Sequence, residues 1–228
     1  MKILAIDFST NQRDVAVLEG PPLNAGGVGD GSIRLLAEQR ATTPRDVSAI
    51  ELVDAALTTA GVERETVECL AIGLGPGSYT GIRIAIALAQ GWQLARPVAT
   101  VGLSSMDCLA AEFAATRQGR FWVVLDAQRN EHYLAGGETT DSDWCWVEPL
   151  HLATAEETRA KTADGGTRIG PEINRWFDDG LVIHPGAARL GRMVWQRGVI
   201  ETADRLEPIY LRSVSFVKAP PPRQIPSE

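Results

Sequence analysis

The order of the predicted elements indicates an α/β protein whose sheets are mixed and carry helices on their faces. Three strand patterns come first and are followed by alternating helix and strand patterns up to Thr116. From Arg120 onward the opening pattern returns, since an apolar strand again ends in an aspartate and is followed by a second strand. Strands followed by alternating helices and strands give a mixed sheet covered by helices. The sequence therefore predicts this arrangement once and then a second, weaker version of it.

The composition is that of an ordinary globular protein with an acidic surface. The 228 residues are 44% apolar and 22% charged, and the net charge is −7. Such a surface repels nucleic acid, so we expect any contact with RNA to need a basic partner or a local basic patch. The apolar run after Lys2 is broken by Asp7, which predicts a first strand rather than a signal peptide, and no run has membrane-spanning length. We therefore expect a cytoplasmic protein with no membrane contact.

The cysteines are odd in number and far apart in the sequence. They are Cys69, Cys108 and Cys145, each among apolar or aromatic neighbours. This pattern is typical of buried thiols in a reducing cytosol rather than of disulfides or a zinc site.

The N-terminal region begins with an antiparallel meander. Residues 2–9 form a buried strand that ends in a polar turn, residues 14–19 pair with it as a hairpin, and residues 32–41 give a third strand. Residues 21–30 are rich in glycine and proline and predict a loose loop.

Helices and strands then alternate. Residues 48–61 predict a helix with Gly61 as its C-cap. One face carries Ile50, Val53, Leu57 and Ala60, and Leu52, Ala56 and Thr59 lie close beside them. After it come a strand over 69–72, a glycine-rich loop, a helix that extends to Arg96, a strand over 98–101 and a helix over 104–116.

The glycine-rich loop leads into a helix whose N-cap is Ser78 or Thr80. Its glycines are Gly73, Gly75, Gly77 and Gly81. A strand, a glycine loop and a helix start often bind phosphate. The dinucleotide pattern, however, needs glycine where Ser78 or Thr80 stands, and a P-loop needs a lysine that this loop lacks. We favour a structural role, in which the glycines supply positive φ or close backbone contact, over direct phosphate binding.

The helix after this loop is apolar on nearly every side. Its polar strip is narrow and consists of Arg83, Gln90 and Gln93. One face can pack on the sheet, but the opposite face then needs a second layer or a second chain. Ala87 and Gly91 leave a track of small residues along which another helix could come close. The alternative is a central helix covered by layers of its own domain.

The second half of the chain repeats the strand pattern and then becomes irregular. Residues 121–126 form an apolar strand that ends at Asp126, and residues 131–136 are its hairpin partner. The remaining predicted elements are a strand at 144–147, helices at 154–162, 172–177 and 187–197, and a strand-like segment at 208–212.

Four segments resemble successive signatures of the TsaB family, the bacterial tRNA threonylcarbamoyladenosine biosynthesis proteins formerly described as glycoprotease-like. They are residues 3–10 (ILAIDFST), 73–83 (GLGPGSYTGIR), 125–133 (LDAQRNEHY) and 208–212 (PIYLR). The segments occur in order across most of the chain, and the glycine segment is quite specific.

The resemblance implies an actin-like ATPase fold with two ribonuclease-H-like lobes, which agrees with the repeated strand pattern. Residues 1–103 would form the first lobe and carry the partner-binding helices. Residues 104–212 would form a second, degenerate lobe whose last helix and strand return to the first. We expect the proline-rich tail, residues 213–228, to be disordered.

The resemblance also implies a non-catalytic subunit that binds the catalytic paralogue TsaD, with the ATPase TsaE joining, in threonylcarbamoylation of the adenosine beside the anticodon. We expect the helices over 48–61 and 80–96 to pair with the equivalent helices of that paralogue. The chain would contact tRNA only indirectly and form a homodimer when alone. The residues predicted to bind the partner are Ser48, Leu52, Ala56, Thr80, Arg83, Ile84, Ala87 and Gly91.

Two departures from the family pattern concern the phosphate turns and the first helix. Active members of the wider fold carry Asp-x-Gly at two phosphate turns, but here Ser9 and Gln128 stand at the glycine positions. We interpret both turns as degenerate and expect no cofactor. The degenerate turns comprise Asp7, Ser9, Thr10, Asp126 and Arg129. Phe8 replaces the usual threonine, and Val47-Ser48 replaces the usual His-Ser, which puts in doubt any contact made by that histidine.

Two enzymatic alternatives are a small-molecule kinase of the actin-like fold and a peptidase. The kinase needs the two phosphate-turn glycines, and the peptidase needs a metal site or a nucleophile. His132, His151 and His184 are isolated, and Ser78, Ser104 and Ser105 lack the Gly-x-Ser-x-Gly pattern. We therefore expect no metal ligand and no catalytic residue.

The sequence allows two different roles for each of two arginines. Arg83 and Arg129 either form ion pairs or caps at a domain junction, or contact a partner.

Overall fold

Two mixed β-sheets form the framework of the chain. The computed structural model describes residues 1–22, 32–42, 47–141, 143–163, 165–197 and 200–212. The tail predicted to be disordered, residues 213–228, and most of the predicted loop 21–30 lie outside the described residues.

The first sheet has six strands in the order β11-β5-β4-β1-β2-β3. These strands are β1 (Lys2–Asp7), β2 (Arg13–Glu19), β3 (Arg34–Ala41), β4 (Cys69–Gly73), β5 (Ala99–Leu103) and β11 (Ile200–Glu201). The second sheet has five strands in the order β10-β9-β6-β7-β8. These are β6 (Arg120–Asp126), β7 (Glu131–Thr139), β8 (Trp144–Thr154), β9 (Thr167–Gly170) and β10 (Leu181–Val182).

The two sheets share the same central pairing, which confirms the predicted repetition. Strand β1 runs antiparallel to β2 and parallel to β4. In the second sheet, β6 runs antiparallel to β7 and parallel to β9. Each sheet is therefore mixed, with its central strand ending in an aspartate, Asp7 or Asp126.

Within the described residues, five α-helices cover the sheets. They are α1 (Ala49–Ala60), α2 (Tyr79–Ala95), α3 (Ser105–Ala114), α4 (Ala155–Thr162) and α5 (Ala187–Arg197). Helices α1 and α2 pack on one face of the first sheet, and α5 packs on the other. Side chains of a strand alternate between faces, so Leu4 and Ile6 meet α1 and α2 whereas Ile3 and Ala5 meet α5.

Helix α3 contributes to the core of the second sheet. Its Met106, Leu109 and Phe113 are fully buried against Phe121 and its neighbours in that sheet. Helix α5, although it follows the second sheet in the chain, packs on the first, and β11 pairs with β5. Cys108 of α3 is buried in the core of the first sheet, so α3 joins the two sheets.

Local signals at the helix ends agree with the predictions. Ser48 and Glu51 form a capping box at the start of α1, and Gly61 adopts the left-handed conformation with φ of 63° at its end. Ser78 is the N-cap of α2, and its hydroxyl accepts the Gly81 N–H.

Several predicted elements differ from the structure. Residues 172–177 contain only a 3₁₀ turn, Ile173–Arg175, since so short a segment does not propagate a helix. Residues 208–212 are not a strand, because their hydrogen bonds go to two separate loops instead of a neighbouring strand. Cys69 and Cys108 are buried as predicted, but Cys145 is exposed on the edge strand β8. Within the described ranges, no helix is both long and apolar enough to cross a bilayer.

Candidate functional site: an inter-lobe cleft and an exposed helical groove

The glycine loop brings the end of β1 against the start of α2. The Ser78 N–H donates to the Ser9 carbonyl at 2.6 Å. A Cβ atom at Gly77 would collide with the Ser9 carbonyl oxygen, and one at Gly81 would collide with the Phe8 carbonyl oxygen. Gly77 also has φ of 149°, a conformation that other residues rarely adopt. Backbone contact with the residues that follow β1 therefore accounts for Gly77 and Gly81.

A buried hydrogen-bond network ties Asp7 to this loop. The Ser105 hydroxyl donates to Asp7 Oδ2 at 2.7 Å and accepts the Gly75 N–H at 3.1 Å. Burial raises the pKa of the Asp7 carboxyl, while bonds from Ser9 and Ser105 oppose that shift. Asp7 is thus satisfied by groups of the protein itself, the neighbouring Ser9 and Ser105 at the start of α3.

The two aspartate turns have matching hydrogen bonds. Asp7 Oδ1 accepts the Ser9 N–H at 2.8 Å, and Asp126 Oδ1 accepts the Gln128 N–H at 2.7 Å. In both cases the amide at the position of the phosphate-turn glycine is already bonded. The second turn is also strained, because Gln128, Arg129 and Asn130 have φ of 63°, 57° and 62°.

A polar cleft of about 680 Å³ separates the two turns. Its lining includes Ser9, Thr10, Gly77, Ser78, Tyr79, Asp126, Gln128, Arg129, Arg175, Tyr210 and Arg212. A hydrogen bond crosses it, since Asn11 donates to Glu172 at 2.7 Å, whereas the ion pair of Arg175 with Asp126, at 3.5 Å, lies within the second lobe. In the part of the chain that the structure describes, no three His, Cys, Asp or Glu side chains are grouped as metal ligands.

The three histidines that were considered as metal ligands lie apart from one another. His132 is buried on β7, with its Nδ1 3.0 Å from the Thr158 hydroxyl, and burial lowers its pKa. His151 is on β8, with Nε2 3.5 Å from Glu148, and His184 precedes α5. None of these contacts joins two histidines.

A second concave surface, which we call the helical groove, lies between α1 and α2. It has a volume of about 610 Å³, and its lining includes Ile50, Val53, Asp54, Arg64, Ala87, Leu88, Gly91, Trp92 and Arg96. Ile50 is 59% exposed, and Leu94 on α2 is 89% exposed. A Cβ atom at Gly91 would have no neighbour within 4 Å. The alternative of a central helix covered on all sides is therefore wrong for this face of α2.

The inner face of α2 is covered by its own lobe. Ile82, Ala85 and Ala89 are fully buried, whereas Ala87 and Gly91 on the outer face are exposed. The helix is thus half core and half surface.

The predicted partner-binding residues fall into two groups. Thr80, Arg83, Ala87 and Gly91 are exposed on α2 with Ile84 half-buried beside them, and Ser48 is exposed at the start of α1. Leu52 and Ala56 are 4% and 0% exposed because they pack on the sheet, so their prediction as partner-binding residues is wrong.

The sequence patterns did not indicate that Ile50 and Arg64 line the helical groove. The sequence pattern places Ile50 on one face with Val53 and Leu57, but those two are buried whereas Ile50 lies at the surface beside α2. Arg64, in the turn after α1, places its guanidinium 6.0 Å from the Trp92 ring centroid. The sequence carried one indication that Ile50 could lie at the surface, because α1 is apolar on two sides and only one of them can face the sheet.

The two arginines with open roles lie at different places. Arg83 lies 4.0 Å from the Tyr79 ring centroid, and its Nε donates to the Tyr210 hydroxyl at 3.3 Å. Arg129 lies in the strained turn and lines the cleft. Arg83 therefore lies where the start of α2 meets the segment around Tyr210, while Arg129 faces the cleft between the lobes.

Two related α/β lobes, with aspartate turns facing each other across a cleft, define the actin-like ATPase fold with ribonuclease-H-like lobes. Solved structures agree with this class: two chains from Pseudomonas aeruginosa, one described as YeaZ and one as an uncharacterized protein similar to peptidase YeaZ, superpose with a TM-score of 0.71. They are 22% and 24% identical to this chain, and each match covers 92% of this chain and 99% of the other.

Sequence comparisons give the family. Residues 42–145 match the model of the TsaD family, tRNA N6-adenosine threonylcarbamoyltransferase. The Escherichia coli tRNA threonylcarbamoyladenosine biosynthesis protein TsaB is 28% identical over 96% of this chain and 99% of its own length. An uncharacterized protein of Mycobacterium bovis is 31% identical over 82% of this chain and 69% of its own length. The chain belongs to the TsaB family.

Proposed function

We propose that this chain is a non-catalytic subunit that binds a TsaD-like transferase and supports threonylcarbamoylation of the tRNA adenosine next to the anticodon. The observation that carries the proposal is the exposed helical groove on an otherwise well-packed lobe. Apolar surface of this kind marks an interaction site in proteins that are folded and acidic elsewhere.

The shape of the groove suits a partner helix. Ala87 and Gly91 lie one turn apart and present almost no side chain, so a second helix could approach α2 closely. Leu88, Trp92 and Ile50 flank this track and supply apolar contact. Aromatic and aliphatic anchors around a close backbone contact are typical of interface centres.

The similarity of this chain to the TsaD family indicates which protein would bind the groove. Because residues 42–145 match the TsaD family, a TsaD-like protein would carry helices equivalent to α1 and α2. The two proteins would then pair through the same helices in a nearly two-fold arrangement, and two copies of this chain alone would do likewise. A TsaE-like ATPase would join the complex in the cytoplasm, and tRNA would be contacted only indirectly.

The aspartate turns support a subunit without its own ATP chemistry. Side chains occupy the positions of both turn glycines, and Asp7 and Asp126 already accept the amides of Ser9 and Gln128. A nucleotide phosphate would have to displace these bonds, which argues against the kinase alternative.

The decisive experiment compares Gly91→Leu with the wild-type chain. The new side chain has open space and replaces a helix glycine, so the thermal midpoint should stay the same or rise. It should nevertheless hold a partner helix away, and we expect affinity for a TsaD-like protein from the same cell to fall more than about tenfold. Threonylcarbamoyladenosine in tRNA should fall with it.

Ala115→Leu is the matched control, because it adds a similar exposed side chain at the end of α3, away from the groove. It should bind like the wild type. Normal binding by Gly91→Leu would remove the groove from the interface, and failure of the wild type to bind any TsaD-like protein would refute the proposed function.

A further inference from the structure

Residues 208–212, which we call the strap, cross the mouth of the inter-lobe cleft. At one end, the Ile209 N–H donates to the Leu74 carbonyl in the glycine loop at 2.9 Å. Next to it, the Tyr210 ring stacks on Tyr79, the first residue of α2, with 5.6 Å between centroids and 25° between planes. The strap is therefore attached to the first lobe at the start of α2.

Arg83 strengthens this attachment from within α2. Its guanidinium lies 4.0 Å from the Tyr79 ring centroid, and its Nε donates to the Tyr210 hydroxyl at 3.3 Å. The first two turns of α2 and the strap thus form one cluster of stacked rings and a cation.

The other end of the strap is attached to the second lobe. Arg212 donates to the carbonyls of Ala127 and Gln128 at 3.1 and 3.4 Å and forms an ion pair with Glu131. Leu211 packs against the apolar core of that lobe. Charge-assisted bonds from one guanidinium to several acceptors hold a geometry more firmly than neutral bonds do.

The attachment in the second lobe is the strained turn. Gln128 and its two successors hold left-handed backbone conformations, which persist only where surrounding contacts impose them. Arg212 supplies such contacts from outside the turn, through two carbonyls and Glu131. The strap therefore connects a segment that needs support to the helix that bears the exposed groove.

We propose that the strap is a clasp between the lobes, and that Arg212 and Tyr210 are positioning residues that fix the N-terminal end of α2 for partner docking. Two lobes that flank a cleft can move relative to each other by hinge closure. A strap fixed to the glycine loop on one side and to the turn after Asp126 on the other limits that motion. It also makes the orientation of α2 depend on contacts in the opposite lobe.

The last step, partner docking, rests on the proposed function, but the clasp itself can be tested in the free protein. Arg212→Ala removes the polar attachment to the second lobe and leaves every residue of the groove in place. Arg205→Ala is the matched control, because Arg205 is an exposed arginine in the turn just before the strap. Tyr210→Phe removes only the hydroxyl that Arg83 contacts.

Amide hydrogen exchange of the free variants is the first measurement. For Arg212→Ala we expect faster exchange both in the turn 127–131 and in the first two turns of α2, by several fold. Arg205→Ala should match the wild type, and Tyr210→Phe should affect α2 alone. Faster exchange confined to the turn in Arg212→Ala would overturn the clasp, because a purely local role predicts that result.

Affinity for the TsaD-like protein is the second measurement. We expect Arg212→Ala to bind about tenfold more weakly than the wild type, chiefly through faster dissociation. Unchanged affinity would show that α2 does not depend on the strap for docking. If the wild type itself fails to bind, the proposed function is refuted, and hydrogen exchange still decides whether the clasp exists.

Discussion

The Ser105 hydroxyl donates a 2.7 Å hydrogen bond to Oδ2 of Asp7, although the two residues lie 98 positions apart in the chain. Both side chains are buried, and the same hydroxyl accepts the Gly75 N–H. One serine at the start of α3 therefore satisfies the last residue of β1 and the glycine loop together.

Removing this serine hydroxyl should be costly. Ser105→Ala leaves a buried carboxylate oxygen and a buried amide without partners, which we expect to lower the free energy of unfolding by about 1 to 3 kcal/mol. Urea unfolding monitored by circular dichroism measures the change. Thr59→Ala, which removes an exposed hydroxyl, should change stability by no more than about 0.5 kcal/mol. Equal effects of the two variants would show that the Asp7 network does not matter for stability.

The same substitution at two glycines of α2 should have opposite effects. In Gly81→Ala the new Cβ collides with the Phe8 carbonyl oxygen, and backbone cannot move aside at little cost, so we expect a loss of about 2 kcal/mol or more. In Gly91→Ala the Cβ meets open space, and the gain in helix propensity should stabilise the protein by about 0.5 to 1 kcal/mol. Thermal midpoints measured side by side test this, and a change of the same sign in both variants would contradict it.

Asp14 should make stability depend on pH. Its side chain is fully buried on β2, and burial, followed by repulsion from Glu38, raises its pKa from an ordinary value of 3.8 to about 7. The Arg40 guanidinium, 3.0 Å away, and the Ala187 N–H oppose that shift. The folded protein therefore keeps a proton that the unfolded chain releases between these two pKa values.

The sign follows from this difference. The contribution of Asp14 to the free energy of unfolding is fully present below about pH 4, falls as the pH rises, and is lost above about pH 7. The total loss is at most about 4 kcal/mol. Asp14→Asn stays neutral, so its unfolding free energy should decline less between pH 5 and pH 8 than that of the wild type. Urea titrations at both values test this. Parallel declines in the two proteins would show that Asp14 does not bind the proton.

The free chain should associate with itself through the helical groove. Leu94 is 89% exposed beside Gly91, and covering such surface favours a two-fold dimer. We expect light scattering to show a dimer at concentrations on the order of tens of micromolar. Leu94→Glu should shift the mass toward the monomer without lowering the thermal midpoint. A monomeric wild type would contradict this prediction.

The isolated chain should not hydrolyse ATP at an appreciable rate. The amides of Ser9 and Gln128 are bonded to the turn aspartates, and their side chains stand where a phosphate would approach. A steady-state phosphate-release assay should therefore give background values. Activity that disappears in Asp7→Ala would contradict this expectation and favour the kinase alternative.

Local signals in the sequence predicted the local structure well. Ser48 and Gly61 mark the ends of α1 because a capping hydroxyl and a left-handed glycine act within one turn of the helix. The end of β1 at Asp7 and of β6 at Asp126 was likewise visible, because apolar runs stop there. These features let the repeated sheet pattern be predicted before the structure.

Features that depend on distant contacts were not predictable in the same way. Helix α1 is apolar on two sides, so the sequence could not tell that Leu52 and Ala56 face the sheet while Ile50 faces outward. The sequence of the strap resembles a strand. It does not reveal that the strap's hydrogen bonds go to the carbonyls of Leu74 and Ala127, because these residues lie far away in the chain. The division into lobes at residue 103 and the contact residues of the partner surface stay predictions.

The two faces of α2 should leave different records in evolution. At Gly81 the opposing atom belongs to the chain's own backbone, so any replacement is eliminated by selection for folding, whatever the protein binds. At Gly91 the chain itself imposes no such restriction. Replacements there should be accepted only where the partner gene acquires a compensating change. Paired sequences from many genomes should therefore show an invariant residue at position 81 and a covarying one at position 91.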